Sequence, residues 1–472
     1  KINGDIALMK GIGKYLLEEN KKGNYQFDHE FISQKTNNFD DYIRNLEETS
    51  WDTIIHGSGI DKNIIEEAGR MFLESNSIII CWAMGLTQHV NGVNNVKETV
   101  NLLLLGGHFG RPGAGVCPVR GHSNVQGDRT MGIWEKPKED FLKKLESRFN
   151  FRPPYEHGYD TVSAINAMSE NKAKVFIALG GNFISATPDT DFTASAIKKM
   201  DLTVQISTKL NRSHLITGKK ALILPCLGRT EKDFIQGKEQ FVTVENSMGF
   251  VHSSRGGLKP ASKLLKSEVN IVSNIARSST SIESSIDWEY LMSDYDHIRD
   301  AIEDCIGGFQ DFNQRIKTSS GFYLPNPPKD SKSFSTIDGK ANFSVNEIPN
   351  NSNVEGYLTM MTIRSHDQYN TTIYGLDDRY RGIKGNRYVV LMNQEDAIEL
   401  GFKAKQNVRI ISDLDGENRS VDGFKIMFYE IPRGCVATYF PEANPLVPIN
   451  HVALKSNTPA SKSIPVRFEA IN

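Results

Sequence analysis

The sequence predicts an α/β fold, with parallel-sheet βαβ units in its first half and a small β-barrel at its end. Strand-length apolar runs alternate with helical periodicity up to residue 225, glycine-rich turns follow those runs, and short β-type segments crowd the region after residue 357. At 472 residues the chain exceeds a single hydrophobic core, so about three domains or one composite body are expected.

Apolar residues at helical spacing (Ile6, Leu8, Met9, Ile12, Leu16, Leu17) predict an amphipathic helix over 5–19. Two more helices are expected in the first eighty residues, the clearest over 64–73. The run Ile78-Ile79-Ile80-Cys81-Trp82 reads as a buried strand that stops at Gly85, and a helix over 94–105 makes this a β-loop-α unit. Residues 106–134 are crowded with Gly, Pro, Asn and Arg, a composition expected to sustain neither helix nor strand. A second βαβ unit runs from a strand over 174–179, through Gly180-Gly181-Asn182 and a helix over 193–200, to a strand over 202–206; residues 221–225 add a third strand. Residues 262–287 suit surface structure, and the proline-containing stretch 324–335 suits a linker. Closing strands are expected over 358–363, 387–392, 408–411, 424–428, 435–439 and 465–468.

A formal charge of -2 with interspersed signs gives no bulk attraction to nucleic acid or anionic lipid, so neither partner is expected. The longest apolar runs are strand-length, so no membrane segment is expected. Cys81, Cys117, Cys226, Cys305 and Cys435 are scattered without a C-x-x-C pair, which argues against a disulfide framework and a local metal knuckle and for reduced thiols in the cytoplasm.

The densest set of hydrogen-bonding side chains lies in the loop 118–129, where Arg120, His122, Ser123, Asn124 and Gln126 sit between glycines. A guanidinium grips a carboxylate or phosphate through two parallel bonds, so Arg120 either orients a small anion or ties down its own loop. His122 serves as a general base, as a hydrogen-bond donor, or as a satisfied polar residue. Gly180-Gly181-Asn182 follows a parallel-type strand, where phosphates meet backbone amides. The G-x-G-x-x-G and G-x-x-x-x-G-K-[ST] fingerprints are absent, so NAD or ATP binding gains little support. Polar residues from Gln205 to Arg212, Thr208 among them, cluster at a strand's C-terminal end, where helix capping is the alternative. Met84, Gln88 and His89 follow the first strand and are either packing or ligand-facing; Arg364 to Thr371 forms another donor-rich loop, and Asn444 sits in a turn.

Together these segments resemble the catalytic subunits of bis-molybdopterin-guanine-dinucleotide oxidoreductases of the dimethyl sulfoxide reductase superfamily, in the formate dehydrogenase-like branch. The resemblance rests on Gly4-Asp5-Ile6-Ala7-Leu8, Cys81 through His89, Pro118 through Ile133, Gly180-Gly181-Asn182, Gln205 through His214 and Asn393 through Ala397. It implies Rossmann-like domains followed by a C-terminal double-psi β-barrel. The boundaries expected are a Rossmann-like domain over 1–121, a second one over 122–228, a mixed connecting region over 229–349 and a dinucleotide-binding barrel over 350–472.

The resemblance further implies a bis-molybdopterin guanine dinucleotide carrying molybdenum or tungsten, and a two-electron oxidation of formate or another small substrate. Arg120 and His122 take the catalytic positions; Met84, Gln88, Gly181, Asn182, Gln205, Thr208, Arg364, His366, Asn444 and Lys462 take cofactor-side positions. Formate dehydrogenases typically carry glutamine two residues after the arginine, where this chain has His122. The resemblance assigns the metal ligand and any 4Fe-4S cluster to a portion preceding Lys1, so no residue here is expected to bind the metal and the chain alone is expected to be inactive. Partners implied are a small-molecule substrate and an electron-transfer protein. The alternative is a non-catalytic electron-transfer or scaffold homologue without a pterin.

Overall fold

The computed structural model describes residues 1–279, 285–350, 354–371 and 373–471. The chain divides into two compact units, one made of residues 1–119, 186–191 and 326–472, the other of 120–185 and 192–325.

In the first unit the helix Asp5–Lys21 carries an acid in its first turn and a lysine in its last, matching the helix dipole. Its buried face, with Ile6, Leu16 and Leu17, packs on the helices Trp51–Ser58, Lys62–Glu74 and Gly92–Leu105. Close approach requires glycine at Gly11, where a Cβ would meet Ile65 at 2.7 Å and Ile54 at 2.9 Å. The strand Ile79–Trp82 follows, but it is not buried as expected: Ile79 and Cys81 are exposed, because its only strand partner among the described residues is Gly115–Pro118.

Residues 106–134 depart from expectation, because they contain the strand Gly115–Pro118 and the helix Val125–Thr130. The strand's composition is poor, but it pairs in parallel with Ile79–Trp82 and sets Cys117 directly opposite Cys81. Hydrogen bonds from Gly115 N to Ile78 O (2.9 Å) and from Val119 N to Trp82 O (2.8 Å) continue the ladder. A partner strand thus overrides a weak local preference. All five cysteines are free thiols.

In the second unit the strands Val175–Leu179, Leu202–Ser207 and Lys220–Pro225 form a parallel sheet in that order. An antiparallel sheet of Val242–Glu245, Phe250–Ser254 and Phe322–Tyr323 packs Val251 and Phe322 against Phe309, Phe312 and Ile316. The surface stretch 262–287 includes the helix Glu268–Ser279, whose Ile271 is buried; residues 280–284 of that stretch lie outside the described residues. The expected linker spans the passage from one unit to the other at Pro325–Asn326.

The first unit ends in a closed six-stranded barrel ordered Leu358–Ile363, Cys435–Tyr439, Val389–Met392, Arg419–Phe428, Asn407–Ser412 and Ile464–Ala470. Two pairings are parallel, Leu358–Ile363 with Cys435–Tyr439 and Val389–Met392 with Arg419–Phe428, the crossed wiring of the double-psi barrel. Met360, Val390, Phe424, Ile426 and Val436 fill the interior with no exposed surface, and each buried side chain of this size stabilises by roughly 1.5–3 kcal/mol. Among the described residues no helix is long and apolar enough to cross a membrane.

Candidate functional site

Six of the residues singled out from sequence lie in the first unit, and the fold brings three of them, Gln88, Arg364 and Lys462, together. Gln88 and Lys462 meet through a hydrogen bond from the Lys462 backbone amide to the Gln88 carbonyl (3.0 Å), while Ser461 Oγ donates to Gln88 Oε1 (3.2 Å). His89 Nδ1 lies 2.8 Å from Ser463 Oγ, and burial holds its imidazole down at about 4, so it is neutral at pH 7. Lys462 is buried and donates to the Thr362 carbonyl. Burial first, then the charges of Arg364 and Arg381, push its ammonium down to about 7.

Arg364 stands beside Lys462 without a compensating carboxylate. Its guanidinium stacks on Phe440 at 3.6 Å, its Nη1 is buried with no hydrogen-bond partner, and burial lowers it to about 10. Arg381 donates to the Arg364 carbonyl (3.0 Å) and to Asp378 Oδ2 (2.6 Å), so that carboxylate is already engaged. Neither Arg364 nor Lys462 forms an ion pair among the described residues. Sequence reasoning missed Arg381; the only signal was the basic pair Arg379 and Arg381 flanking Tyr380.

The loop carrying Arg364 is braced from below by Arg387. This guanidinium, 2% exposed, bonds Glu442 Oε1 (2.7 Å), Ser365 Oγ (2.8 Å), Gln368 Oε1 (3.0 Å) and the Phe440 carbonyl (2.8 Å). His366 is held by Arg379, whose Nη2 lies 2.8 Å from Nε2, and by Asp367 at 2.6 Å. Asn444 is buried and commits its amide to the Thr187 carbonyl (3.1 Å), with its own carbonyl accepting from Asp189 N (3.1 Å). It therefore acts as a tether. Met84 begins the short helix Met84–Thr87 with its side chain exposed.

The second unit holds the other six residues. Gly180 and Gly181 adopt φ values of 70° and 76°, which favour glycine, and a Cβ on either would meet no atom within 4 Å. The turn thus presents bare backbone to open space. Behind it a single hydroxyl organises the polar groups: Ser213 Oγ donates to Asn182 Oδ1 (2.6 Å) and accepts from Ile184 N (3.0 Å), and the Ser213 carbonyl accepts from Gln205 Nε2 (3.0 Å). Asn211 Nδ2 donates to the Gly181 carbonyl (2.7 Å). Asn182 and Gln205 are therefore buried framework behind the turn, whereas Thr208 is exposed.

Arg120 donates through Nε and Nη2 to Gln126 Oε1 (3.2 and 3.0 Å), the loop-tying arrangement, and its backbone amide donates to Ser247 Oγ (3.0 Å). The guanidinium remains exposed and forms no ion pair among the described residues. It opens on a crevice of about 630 Å³ lined also by Arg129, Lys138 and Lys144, with Asp140 as its one carboxylate and Trp134 and Phe141 as its rings. His122, half-buried, follows two positions on. Sequence reasoning missed Lys138 and Lys144, whose only signal was recurrent lysine in a short span. Among the described residues no group of three or more His, Cys, Asp or Glu could hold a metal ion.

Residues 1–246 match the model of the molybdopterin oxidoreductase family, and residues 358–468 match the molydopterin dinucleotide binding domain. An uncharacterized oxidoreductase of Mycobacterium tuberculosis is 48% identical over 475 residues, 99% of this chain and 61% of the relative. The alpha subunit of an F420-dependent formate dehydrogenase of Methanococcus maripaludis is 28% identical over 48% of this chain and 34% of its own length. The acetylene hydratase of Pelobacter acetylenicus shares the fold, with a TM-score of 0.66 over 100% of this chain and 71% of that one, at 14% identity. The chain spans about three fifths of the length of the mycobacterial relative. The family match covers more than half of the residues, and the chain belongs to the molybdopterin oxidoreductase family.

Proposed function

We propose that the protein is a formate dehydrogenase-like oxidoreductase acting on a small anionic substrate, with this chain supplying part of the cofactor site and the substrate-binding arginine. When bound, a molybdenum or tungsten bis-molybdopterin guanine dinucleotide supplies the two-electron chemistry. The first unit fits such a group: Arg364 Nη1 is a buried donor without an acceptor, and Lys462 is a buried cation without a carboxylate. Phosphate or pterin oxygens would satisfy both donors. The second unit fits through the Gly180-Gly181 turn, whose open backbone admits a phosphate as a side chain at these positions would not.

The observation that carries the substrate reading is the crevice beneath Arg120: Arg129 pairs with Glu135 and Lys144 with Asp140, and the surplus positive charge is that of Arg120 and Lys138, which form no ion pair among the described residues. A cleft of one sign raises the local concentration of the opposite ion. Arg120 then orients the carboxylate, and Gln126 holds the guanidinium still for that purpose. His122 moves a proton at the edge of the same loop. The formate dehydrogenase relative and the arginine-loop resemblance support formate, while His122 in the typical glutamine position leaves room for another small anion.

In the intact protein Arg120→Ala should lower kcat/KM for formate by roughly a hundredfold, with metal and pterin content unchanged. Full turnover by that variant would refute the role of Arg120. Intact protein free of molybdenum, tungsten and pterin fluorescence would refute the cofactor assignment separately.

A further inference from the structure

The short helix Val125–Thr130 separates two cavities in the second unit. Asn124, Gly127 and Met131, spaced three and four residues apart, line one of them, while Arg129, Thr130 and Gly132 line the basic crevice. The first cavity holds about 200 Å³ and is walled by apolar side chains including Phe241, Val244, Val269, Ile302 and Phe309. Into it projects Glu245, 5% exposed, whose Oε2 has no hydrogen-bond partner. Burial raises the Glu245 carboxyl, opposed by the Thr130 hydroxyl and the Arg120 charge.

An orphaned buried carboxyl oxygen carries a desolvation cost of about 1–3 kcal/mol. A water there would need two to four polar partners, and the apolar walls supply few. We infer that this cavity is a binding site for a small neutral alcohol whose hydroxyl donates to Glu245 Oε2 and whose apolar body packs between Phe241, Val269 and Phe309. The size follows from volume: an apolar cavity of about 150 Å³ accepts benzene, so this one accepts a ring with a short hydroxyl-bearing substituent. The neutral class follows from the apolar walls, which would leave the remaining donors of an ammonium without acceptors, and from Glu245, which disfavours a carboxylate; Arg299, on the same lining, is already paired with Asp296. The site stands independently of the cofactor and substrate readings.

Benzyl alcohol is the probe, titrated into the intact protein by ligand-observed NMR and thermal shift, with toluene and benzylamine alongside. Saturable binding of benzyl alcohol is expected. Glu245→Met should weaken benzyl alcohol about tenfold while sparing toluene, and Val269→Phe should abolish both by filling the space. Absence of saturable binding up to the solubility limit, benzylamine binding more tightly than the alcohol, or equal loss of alcohol and toluene in Glu245→Met would each overturn the inference. Should Glu245→Met fail to fold, Val269→Phe decides: unchanged binding overturns the site.

Discussion

The guanidinium of Arg364 lies 3.6 Å from the centroid of the Phe440 ring and keeps its Nη1 buried without an acceptor. The ring fixes the cation by a face contact, which leaves its hydrogen-bonding edge unspent. Arg364→Gln should therefore cut the pterin content of the purified intact protein by about tenfold or more, with little loss of stability in the cofactor-free form. Wild-type pterin fluorescence in that variant would sever Arg364 from the cofactor.

Lys462 gives a pH dependence whose sign follows from its depressed ammonium. The unfolded side chain titrates at 10.5 and the folded one at about 7, so between those values the unfolded chain holds the proton that the folded chain has released. Stability of the cofactor-free protein should rise with pH through that window, and the penalty of the buried charge is complete below it. Lys462→Met should be more stable than wild type at pH 6 and should flatten the rise, as read by urea denaturation at several pH values. A bound polyanion offsets the same penalty, so loading should take up a proton and weaken above pH 7. Identical pH profiles for the two proteins would contradict this account.

The parallel units were legible because apolar strand-length runs and amphipathic helices write their period locally, as at Val175–Leu179 and Asp5–Lys21, although Val175, Ile177 and Leu179 are exposed rather than buried. The strand Gly115–Pro118 was not, since its glycine and proline carry no β signal and its stability comes from Ile79–Trp82. For the site, the donor-rich loops were visible in composition, and the resemblance picked out Arg364 and Lys462. Their convergence was not visible: Ser461 reaches Gln88 across 373 positions, and no local pattern encodes that distance. Arg120 left two readings open from spacing alone, and the structure joins it to Gln126 while leaving it on an anion-attracting crevice.

Arg387 and Glu442 form a buried ion pair, with side chains 2% and 8% exposed, that also satisfies Ser365 and Gln368 in the Arg364 loop. Removing one partner strands the other charge in a dry interior. Arg387→Leu should cost about 3–5 kcal/mol of stability, whereas the double change with Glu442→Met should recover part of it. Additive losses in the double-mutant cycle would show that the two residues act separately.

Ser213 falls within the Gln205–His214 segment of the resemblance but received no site role there, and its hydroxyl serves two partners behind the Gly180-Gly181 turn. It donates to Asn182 Oδ1 and accepts from Ile184 N, both buried. Ser213→Ala removes the acceptor of the buried Ile184 amide and one contact of Asn182, at about 1–3 kcal/mol for the stranded amide. The bond from the Gln205 side-chain amide to the Ser213 carbonyl survives the substitution, and the strand Leu202–Ser207 stays paired on both sides, so it should keep its amide protection while the turn loses it. Hydrogen exchange resolves the two: faster exchange confined to residues 180–184 supports a hydroxyl that shapes the turn, and uniform acceleration across the sheet would assign Ser213 to general packing instead.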